Sequence, residues 1–472
     1  MSKTNPKYTP RGYQNYILDR IEDLPGSNLL LELDCGLGKR FITHQLVVER
    51  YPELKFLIVV HSSSSLAETV EYLRGDYGGL EDELGEISSR VRSPIRPYVM
   101  KNNRIVVSTP QVLAGMIKKE PDTVGLFDVL LINEVDTLIK RTGRRRALTF
   151  PWPTILPFFD EKRVIGMSGT LRDEHAVFTR EQLEIRKELR TLKQHIPDAH
   201  VISMEDLYGT DIEEFLDPTM LRIELVRDTK IQSITRVLDE LIRDARIEIM
   251  TELAEDDNLE MVENDPRRVH LMLERLPVSD DLKGRYSSLL MLRKYVYAMP
   301  PRQFIKFFYN KHVSRFFKPD DLRSALPRLS SKAAKAVEIA KGYEKSVIIT
   351  SYLDMVSQIE NLFKNAGMSA LVITGQTQNK GEVLREFKSD ENLRALIMSP
   401  VGERDLDIPQ ADIMLICDTI NTTKTMYQKF KRTRGGVVLL LAYKDTSEER
   451  KAKRLIQRIM DRYPWSTSSC GN

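Results

Sequence analysis

A short glycine-containing segment has the residue types that are needed to bind a phosphate group. The segment Gly36-Leu37-Gly38-Lys39 follows the apolar run Leu29–Leu33 and precedes the helical pattern of residues 39–50. Glycines allow backbone N–H groups to face a phosphate, the start of a helix adds positive potential, and a lysine reaches the outer phosphates. The order of apolar run, glycine loop and helix therefore predicts a phosphate-binding loop.

Two positions depart from the pattern of a metal-dependent phosphate site. The residue after Lys39 would be Ser or Thr, whose hydroxyl binds Mg²⁺, but here it is Arg40. A second polar segment ends the apolar run Val129–Ile132, where a pair of acids ordinarily holds Mg²⁺ and activates water. Its first position is the neutral Asn133, and Glu134 is the acid that remains.

Composition excludes several broad classes of protein. The chain of 472 residues has 71 basic and 68 acidic residues, a net charge of +3, so a local basic groove is possible but a polycationic binder is not. The 3 cysteines lie far apart and the 7 histidines are scattered, so we predict neither disulfides nor a side-chain metal site. We also find no apolar run of the ~20 residues needed to cross a membrane and no hydrophobic leader, which predicts a soluble, cytoplasmic protein.

The order of sequence patterns predicts an α/β fold class with two RecA-like parallel-sheet domains and a helical, thumb-like insertion between them. Continuous apolar runs, which parallel strands covered on both faces require, alternate with helical patterns before about residue 205 and again after residue 345. The intervening segment is mostly helical in pattern. We therefore predict domains at residues 1–205, 206–335 and 336–472. The predicted strands are Leu29–Leu33, Phe56–Val60, Arg104–Ser108, Val129–Ile132, Arg163–Met167, Ser346–Thr350, Ala370–Ile373, Ala395–Met398, Ile413–Cys417 and Val437–Ala442.

Six segments in this order resemble motifs of superfamily 2 helicases, most closely the branch that contains archaeal Hef, the Fanconi-anaemia M translocase and XPF. Pro10–Gln14 is similar to the adenine-reading element, Ser108–Gln111 to a DNA-backbone motif, and Ser168–Thr170 to the Ser-Ala-Thr coupling motif with one change. Val401–Pro409 is similar to a second-domain motif of the family, and Gly375-Gln376 and Val437–Ala442 also match. The resemblance covers nearly the whole chain.

The resemblance implies a nucleotide site and a set of residues for it. The expected nucleotide-binding residues are Arg11, Tyr13, Gln14, Gly36, Gly38, Lys39, Arg40, Asn133 and Asp407. Glu134 and Arg432 take catalytic positions, which we interpret as vestigial. The family's Thr, first acid, final His, second-domain Gly and last arginine are here Arg40, Asn133, Asp136, Asp405 and Gly435. ATP or ADP is compatible with the intact lysine, whereas the substitutions argue against Mg²⁺.

Arg40 in place of Thr and Asn133 in place of an acid each add one positive charge. Together these two charges match the charge of the missing metal ion. We therefore expect Arg40 either to replace Mg²⁺ against a phosphate or to pair with Glu134 and close an empty site. A diverged enzyme that still binds the metal through water remains the alternative.

Nucleic-acid contacts are expected at two kinds of position. By resemblance, hydroxyl and amide groups after the strands would contact phosphates without reading sequence, although the same residues could cap helices instead. These residues are Thr109, Gln111, Thr350 and Ser351. The basic run at residues 140–146 adds Arg144, Arg145 and Arg146, with a solvated surface as the alternative. Lys306 lies in an aromatic and basic segment whose Phe304 is better explained by a buried helix face.

The combined pattern favours a pseudo-helicase that acts as a scaffold or remodelling partner on forked or branched DNA in repair or replication. One alternative is an active ATP-dependent DNA translocase with unusual metal ligation, and another is a double-stranded RNA-binding module. Hef and XPF carry a nuclease and a helix–hairpin–helix region after the core, and we expect neither region in this chain. We therefore expect a separate nuclease or an active helicase subunit as a partner. We do not expect the protein to bind a membrane.

Overall fold

The computed structural model describes residues 9–75, 80, 82–139, 142–144, 148–178, 183–255, 269–301, 304, 326–399, 411–418, 423–431 and 436–467. The chain divides into two compact units, residues 1–216 and 217–472. The three-part division expected from the sequence stays a prediction. Among the described residues, no helix is both long and apolar enough to span a membrane.

The first unit is built on a parallel sheet with the strand order β10-β1-β7-β5-β2-β4-β3. Its described strands are β1 (Leu29–Glu32), β2 (Phe56–Val59), β3 (Leu84–Ile87), β4 (Ile105–Ser108), β5 (Val129–Asn133), β6 (Thr142–Arg144), β7 (Arg163–Ser168), β8 (Glu174–Phe178), β9 (Leu183–Lys187) and β10 (His200–Ile202). The strands β6, β8 and β9 form a separate small sheet. The central strands are buried along their length, as their continuous apolar sequences require.

Helices connect the strands of the first unit and place their ends at one edge of the sheet. They are α1 (Gly12–Glu22), α2 (Lys39–Gln45), α3 (Ser63–Gly75), α4 (Arg96–Asn102), α5 (Pro110–Ile117), α6 (Trp152–Ile155) and α7 (Glu188–His195). The predicted helix of residues 39–50 is α2 followed by a π-helical turn at Leu46–Arg50. Because the large sheet is parallel, the loops that follow β1, β5 and β7 meet at its carboxyl edge.

The second unit has a parallel sheet with the order β11-β16-β15-β12-β14-β13. Its described strands are β11 (Met220–Val226), β12 (Ser346–Ile349), β13 (Ser369–Ile373), β14 (Leu393–Met398), β15 (Ile413–Ile416) and β16 (Val437–Tyr443). Its described helices are α8 (Thr229–Glu255), α9 (Val269–Met272), α10 (Asp280–Ala298), α11 (Ser331–Ala340), α12 (Leu353–Asn365), α13 (Lys380–Ser389), α14 (Thr423–Phe430) and α15 (Ser447–Arg462).

Two parallel-sheet α/β domains with helices between them were predicted, and the fold class is confirmed. The long helices α8 and α10 pack together within the interval expected to be helical, where Arg293 donates to Asp239 at 2.7 Å. That interval also contains β11, which the sequence pattern did not predict. Since β11 is an edge strand that alternates apolar residues with Arg222 and Glu224, it lacks the continuous apolar run of a central strand.

Candidate nucleotide site and nucleic-acid interface

The phosphate-loop segment connects β1 to α2 and has the backbone geometry that its glycines allow. Gly36 and Gly38 have φ angles of +82° and +89°, in the left-handed region that residues with a Cβ rarely adopt. A Cβ built at Gly38 would lie 2.6 Å from Nε2 of Gln14. A larger residue at Gly38 would therefore strain the loop and displace Gln14.

Lys39 is held inside this loop by a backbone carbonyl and a carboxylate. Its Nζ donates to the carbonyl oxygen of Leu33 at 3.1 Å and lies 3.5 Å from Oε1 of Glu134. Burial lowers the pKa of Lys39, but the charges of Glu134, Cys35 and Asp34 outweigh burial and raise that pKa above its ordinary value. The lysine is therefore a fixed cation, paired with the remaining acid of the site.

Arg40 points away from Glu134. Its guanidinium forms an ion pair with Glu68 of α3, and both side chains are about two-fifths exposed. Successive residues of an α-helix are rotated by about 100°, so Arg40 cannot share the direction of Lys39. Of the two expected roles of Arg40, the pair with Glu134 is wrong, because Glu134 pairs with Lys39. The other role, in which Arg40 replaces Mg²⁺ against a phosphate, stays a prediction.

Asn133 ends β5 beside this pair and provides a test of metal binding. Its Oδ1 is buried and has no hydrogen-bond partner among the described residues. The amide oxygen of Asn133 and the guanidinium of Arg40, which pairs with Glu68, do not replace the carboxylate and hydroxyl oxygens that Mg²⁺ prefers. In the part of the chain that the structure describes, no group of three or more His, Cys, Asp or Glu side chains could hold a metal. Lys39 and the glycine loop thus fit a phosphate group, whereas Arg40 and Asn133 do not supply the oxygen ligands that a bound Mg²⁺ would take at their positions.

A hydrogen-bonded cluster joins the loop after β5 to the loop after β7. Oγ of Ser168 donates to Oδ1 of Asp136 at 2.7 Å, and Oγ1 of Thr170 donates to Oδ2 at 3.1 Å. Asp136 is 1% exposed, so both of its oxygens are satisfied away from solvent. Gly166 of β7 allows this approach, because a Cβ there would lie 2.6 Å from Val135. The cluster connects Asp136, in the segment after β5, to Ser168 and Thr170. This connection is present although Arg40 and Asn133 occupy the positions of the metal ligands.

The expected base-reading residues lie against the phosphate loop. Tyr13 donates its hydroxyl to the carbonyl of Leu37 at 2.8 Å, and burial raises the pKa of Tyr13. Oε1 of Gln14 accepts from the backbone N–H of Arg11 at 3.0 Å. The structure therefore brings Arg11, Tyr13 and Gln14 together with the loop, and their role in reading a base stays a prediction.

Two further residues of this region come from the distant end of the unit and have no local sequence signal. The carboxylate of Asp211 accepts from the backbone N–H groups of Gly12 and Tyr13 at 2.7 and 2.6 Å. The guanidinium carbon of Arg11 lies 3.8 Å from the ring centre of Phe215. Asp211 and Phe215 belong to one 3₁₀ helix, Asp211–Phe215, which covers the start of α1.

The predicted nucleic-acid residues differ in their exposure. Thr109 precedes α5 and is 7% exposed, whereas Gln111 in the first turn of α5 is exposed. Thr350 is fully buried at the end of β12, and its hydroxyl donates to Asp418 at 3.4 Å. Thr350 is therefore a buried supporting residue and not the surface contact that we predicted, because its side chain turns inward to a carboxylate. Ser351 is exposed, and its backbone N–H donates to Asp418.

Several predicted residues cannot be placed. Asp407, Arg432, Lys306, Arg145 and Arg146 lie outside the described residues. The backbone of Arg144 lies in β6, where it is paired with Phe178 in parallel register. These positions stay predictions from the sequence.

Two family models match the chain, one within the first unit and one within the second. The model for the res subunit of type III restriction enzymes matches residues 7–173, and the model for the helicase conserved C-terminal domain matches residues 331–436. A protein of Methanocaldococcus jannaschii that is named as an ATP-dependent RNA helicase is 21% identical over 91% of this chain. The chain spans 59% of the length of that relative.

Two solved structures share the fold of the chain. The helicase domain of Pyrococcus furiosus Hef has 18% sequence identity and a TM-score of 0.61, with 95% of this chain and 98% of that chain covered. Dbp5 of S. cerevisiae, bound to RNA and ADP–BeF3, has 11% identity and a TM-score of 0.54, with 97% of this chain and 88% of that chain covered.

Proposed function

The chain has a superfamily 2 helicase core similar to that of Hef, and on this premise we propose that it is a nucleic-acid-binding pseudo-helicase. It would act on forked or branched DNA as a scaffold or remodelling partner, with little or no ATP hydrolysis. The nucleotide would be held by Lys39 and the backbone of the glycine loop, without Mg²⁺. A nucleotide bound there would supply a phosphate charge that competes with Glu134 for Lys39.

The arrangement of charges around Lys39 is the observation that carries this proposal. Lys39 pairs with Glu134, Arg40 pairs with Glu68, and Asn133 replaces a carboxylate. Phosphoryl transfer needs a placed metal, an oriented water and neutralised charge on the transferred group at the same time. The described side chains supply the fixed cation and one acid, which supports phosphate binding more than hydrolysis.

Two alternatives have specific support. The intact cluster of Asp136, Ser168 and Thr170 would favour an active translocase, since an inactive site has no need to join these two loops. The M. jannaschii relative is named as an RNA helicase, and the Dbp5 structure contains RNA, which would favour an RNA duplex as the ligand. Both alternatives are tested by the same two measurements.

The first measurement is phosphate release from ATP with and without forked DNA. We expect release close to background in both cases, and we expect Lys39→Ala to reduce binding of ATP measured by calorimetry in a chelator. Turnover of the wild-type protein that rises with forked DNA and is lost in Glu134→Gln would replace this proposal with the active translocase. The half-buried Lys55→Ala, in the loop before β2, is the matched control.

The second measurement is competition between forked DNA, linear duplex DNA and duplex RNA for the same labelled fork. We expect the fork to compete best, with affinity that falls steeply with salt because phosphate neutralisation dominates. Preferential competition by duplex RNA would favour the RNA-binding module instead.

A further inference from the structure

The last described helix presents a row of cations to solvent. Arg450, Arg454 and Arg458 of α15 are exposed and four residues apart, so they lie in one row about 6 Å apart along the helix. The opposite face of α15 carries the buried Ala452, Leu455 and Ile459. We call the three arginines the α15 basic row.

Most of this positive charge is not neutralised by nearby acids. Nη2 of Arg450 lies 3.8 Å from Oδ2 of Asp239, which is a long separation for an ion pair. Arg454 donates to the backbone carbonyl of Arg450 at 3.1 Å. Among the residues that the structure describes, neither Arg454 nor Arg458 has a carboxylate partner.

Two cations of α10, Arg293 and Lys294, lie close enough to Lys451 of α15 to affect its charge. Burial lowers the pKa of Lys451 to about 8, and although Glu448 raises that pKa, the charges of Lys294, Arg293 and Arg454 lower it. The charged form of Lys451 is therefore destabilised mainly by burial and further by the neighbouring cations. An added anion would relieve this repulsion.

A row of cations could bind either a nucleic acid or an acidic protein, and the side chains around the row decide between these two classes of partner. Within the described part of α15, no large apolar side chain is exposed. Stable protein–protein interfaces have an apolar or aromatic centre, whereas phosphate backbones are bound by exposed cations without one. The α15 basic row therefore fits a nucleic-acid backbone better than an acidic protein.

We propose that the α15 basic row, with Lys294, is an additional binding site for the phosphate backbone of duplex nucleic acid. The site is distinct from Ser351, which follows β12, since α15 packs against β16 and β11 at the edge of the same sheet. This inference rests on the proposed function, because it assumes that the protein binds nucleic acid. It adds a contact that follows the backbone without reading sequence.

The test compares two double charge reversals in the full chain. R454E/R458E changes the row, and R385E/K388E changes two exposed cations of α13 by the same total charge. Anisotropy of a labelled duplex DNA is measured over a range of salt concentrations, and circular dichroism checks that each variant is folded. We expect the slope of log K against log salt to fall by about 2 for R454E/R458E, since each lost phosphate contact contributes ~0.9, and we expect a smaller change for the control.

Each outcome decides one question. Equal slopes for the two variants would overturn the proposed site while leaving the proposed function intact. Absence of binding by the wild-type protein to both duplex and forked DNA would overturn the proposed function and this inference together, whereas binding to forked DNA alone would overturn only this inference. If poly-glutamate binds the wild-type protein and loses affinity in R454E/R458E while the duplex does not, the row binds acidic proteins, and the inference is wrong.

Discussion

Ser168 and Asp136 are joined by a hydrogen bond of 2.7 Å that crosses from β7 to the turn after β5. The family's histidine at position 136 is an aspartate here, and its carboxylate accepts from the hydroxyls of both Ser168 and Thr170. The loops that would hold and sense a nucleotide are therefore physically connected, although the metal positions differ. The predictions below separate this structural role from catalysis.

Removal of the Asp136 carboxylate should destabilise the first unit. Asp136→Ala leaves two buried hydroxyls without their acceptor, which we expect to lower the free energy of unfolding by about 2–4 kcal/mol. Asp136→Asn should cost less because it keeps one acceptor oxygen. The chain has two tryptophans, Trp152 in the first unit and Trp465 in the second, so Trp152 fluorescence in a Trp465→Phe background reports this unit during urea unfolding. Equal stability of all three proteins would show that the hydrogen bonds contribute little.

Stability of the first unit should depend on pH through His44. Burial lowers the pKa of His44 to about 4, below the ~6.5 of an unfolded chain. The unfolded state then binds the proton more tightly, so stability is full above pH 6.5 and is lost as pH falls towards 4. At pH 5 the loss should be about 2 kcal/mol relative to pH 7.

The measurement is again urea unfolding followed by Trp152. His44→Gln should remove this part of the pH dependence, whereas the exposed His200→Gln should retain it. A wild-type protein whose pH dependence equals that of His44→Gln would contradict the assignment.

A buried ion pair should stabilise the second unit only as a pair. Nζ of Lys332 lies 2.6 Å from Oε1 of Glu448, and both side chains are at most 1% exposed. Lys332→Met leaves an uncompensated buried carboxylate, which we expect to cost about 3–5 kcal/mol. The double variant with Glu448→Gln should recover part of this loss, because the amide oxygen can still accept from the Tyr443 N–H.

Unfolding of the second unit can be followed by Trp465 fluorescence in a Trp152→Phe background. Lys335→Met is the control, since Lys335 is a partly exposed cation in the same helix, α11. No recovery in the double variant would mean that Lys332 stabilises the unit through its bond to the Cys417 carbonyl at 3.1 Å rather than through the charge of Glu448.

Metal binding should return only when both substituted positions are changed. Arg40→Thr restores a hydroxyl but leaves Asn133 without charge, and Asn133→Asp restores an acid but leaves Arg40 in place of the hydroxyl. Groups that act as one unit are strongly non-additive, so we expect Mg²⁺-dependent binding of ADP in the double variant and little in either single variant. Calorimetry with Mg²⁺ and with a chelator measures this, and Lys39→Ala in the double background is the control. Equal gains from the two single variants would contradict a joint loss.

The sequence predicted the central strands well because burial on both faces requires continuous apolar runs. Edge strands such as β3 and β11 contain Gly, Glu or Arg, so their patterns resemble loops. The site was predicted where it depends on local order, as in the glycine loop. It was not predicted where a contact joins distant segments. Arg40 could be expected to find an acid, but only the packing of α3 against α2 decides that this acid is Glu68.

The contact between Asp211 and Gly12 has a practical consequence for dividing this protein into fragments. The two residues are separated by 199 positions in the sequence. The carboxylate of Asp211, near the end of the first unit, therefore caps the first helix of that unit. A fragment truncated before Asp211 would keep every strand of the large sheet but would leave the N–H groups of Gly12 and Tyr13 uncapped. Expression of the first unit alone should therefore extend through Phe215.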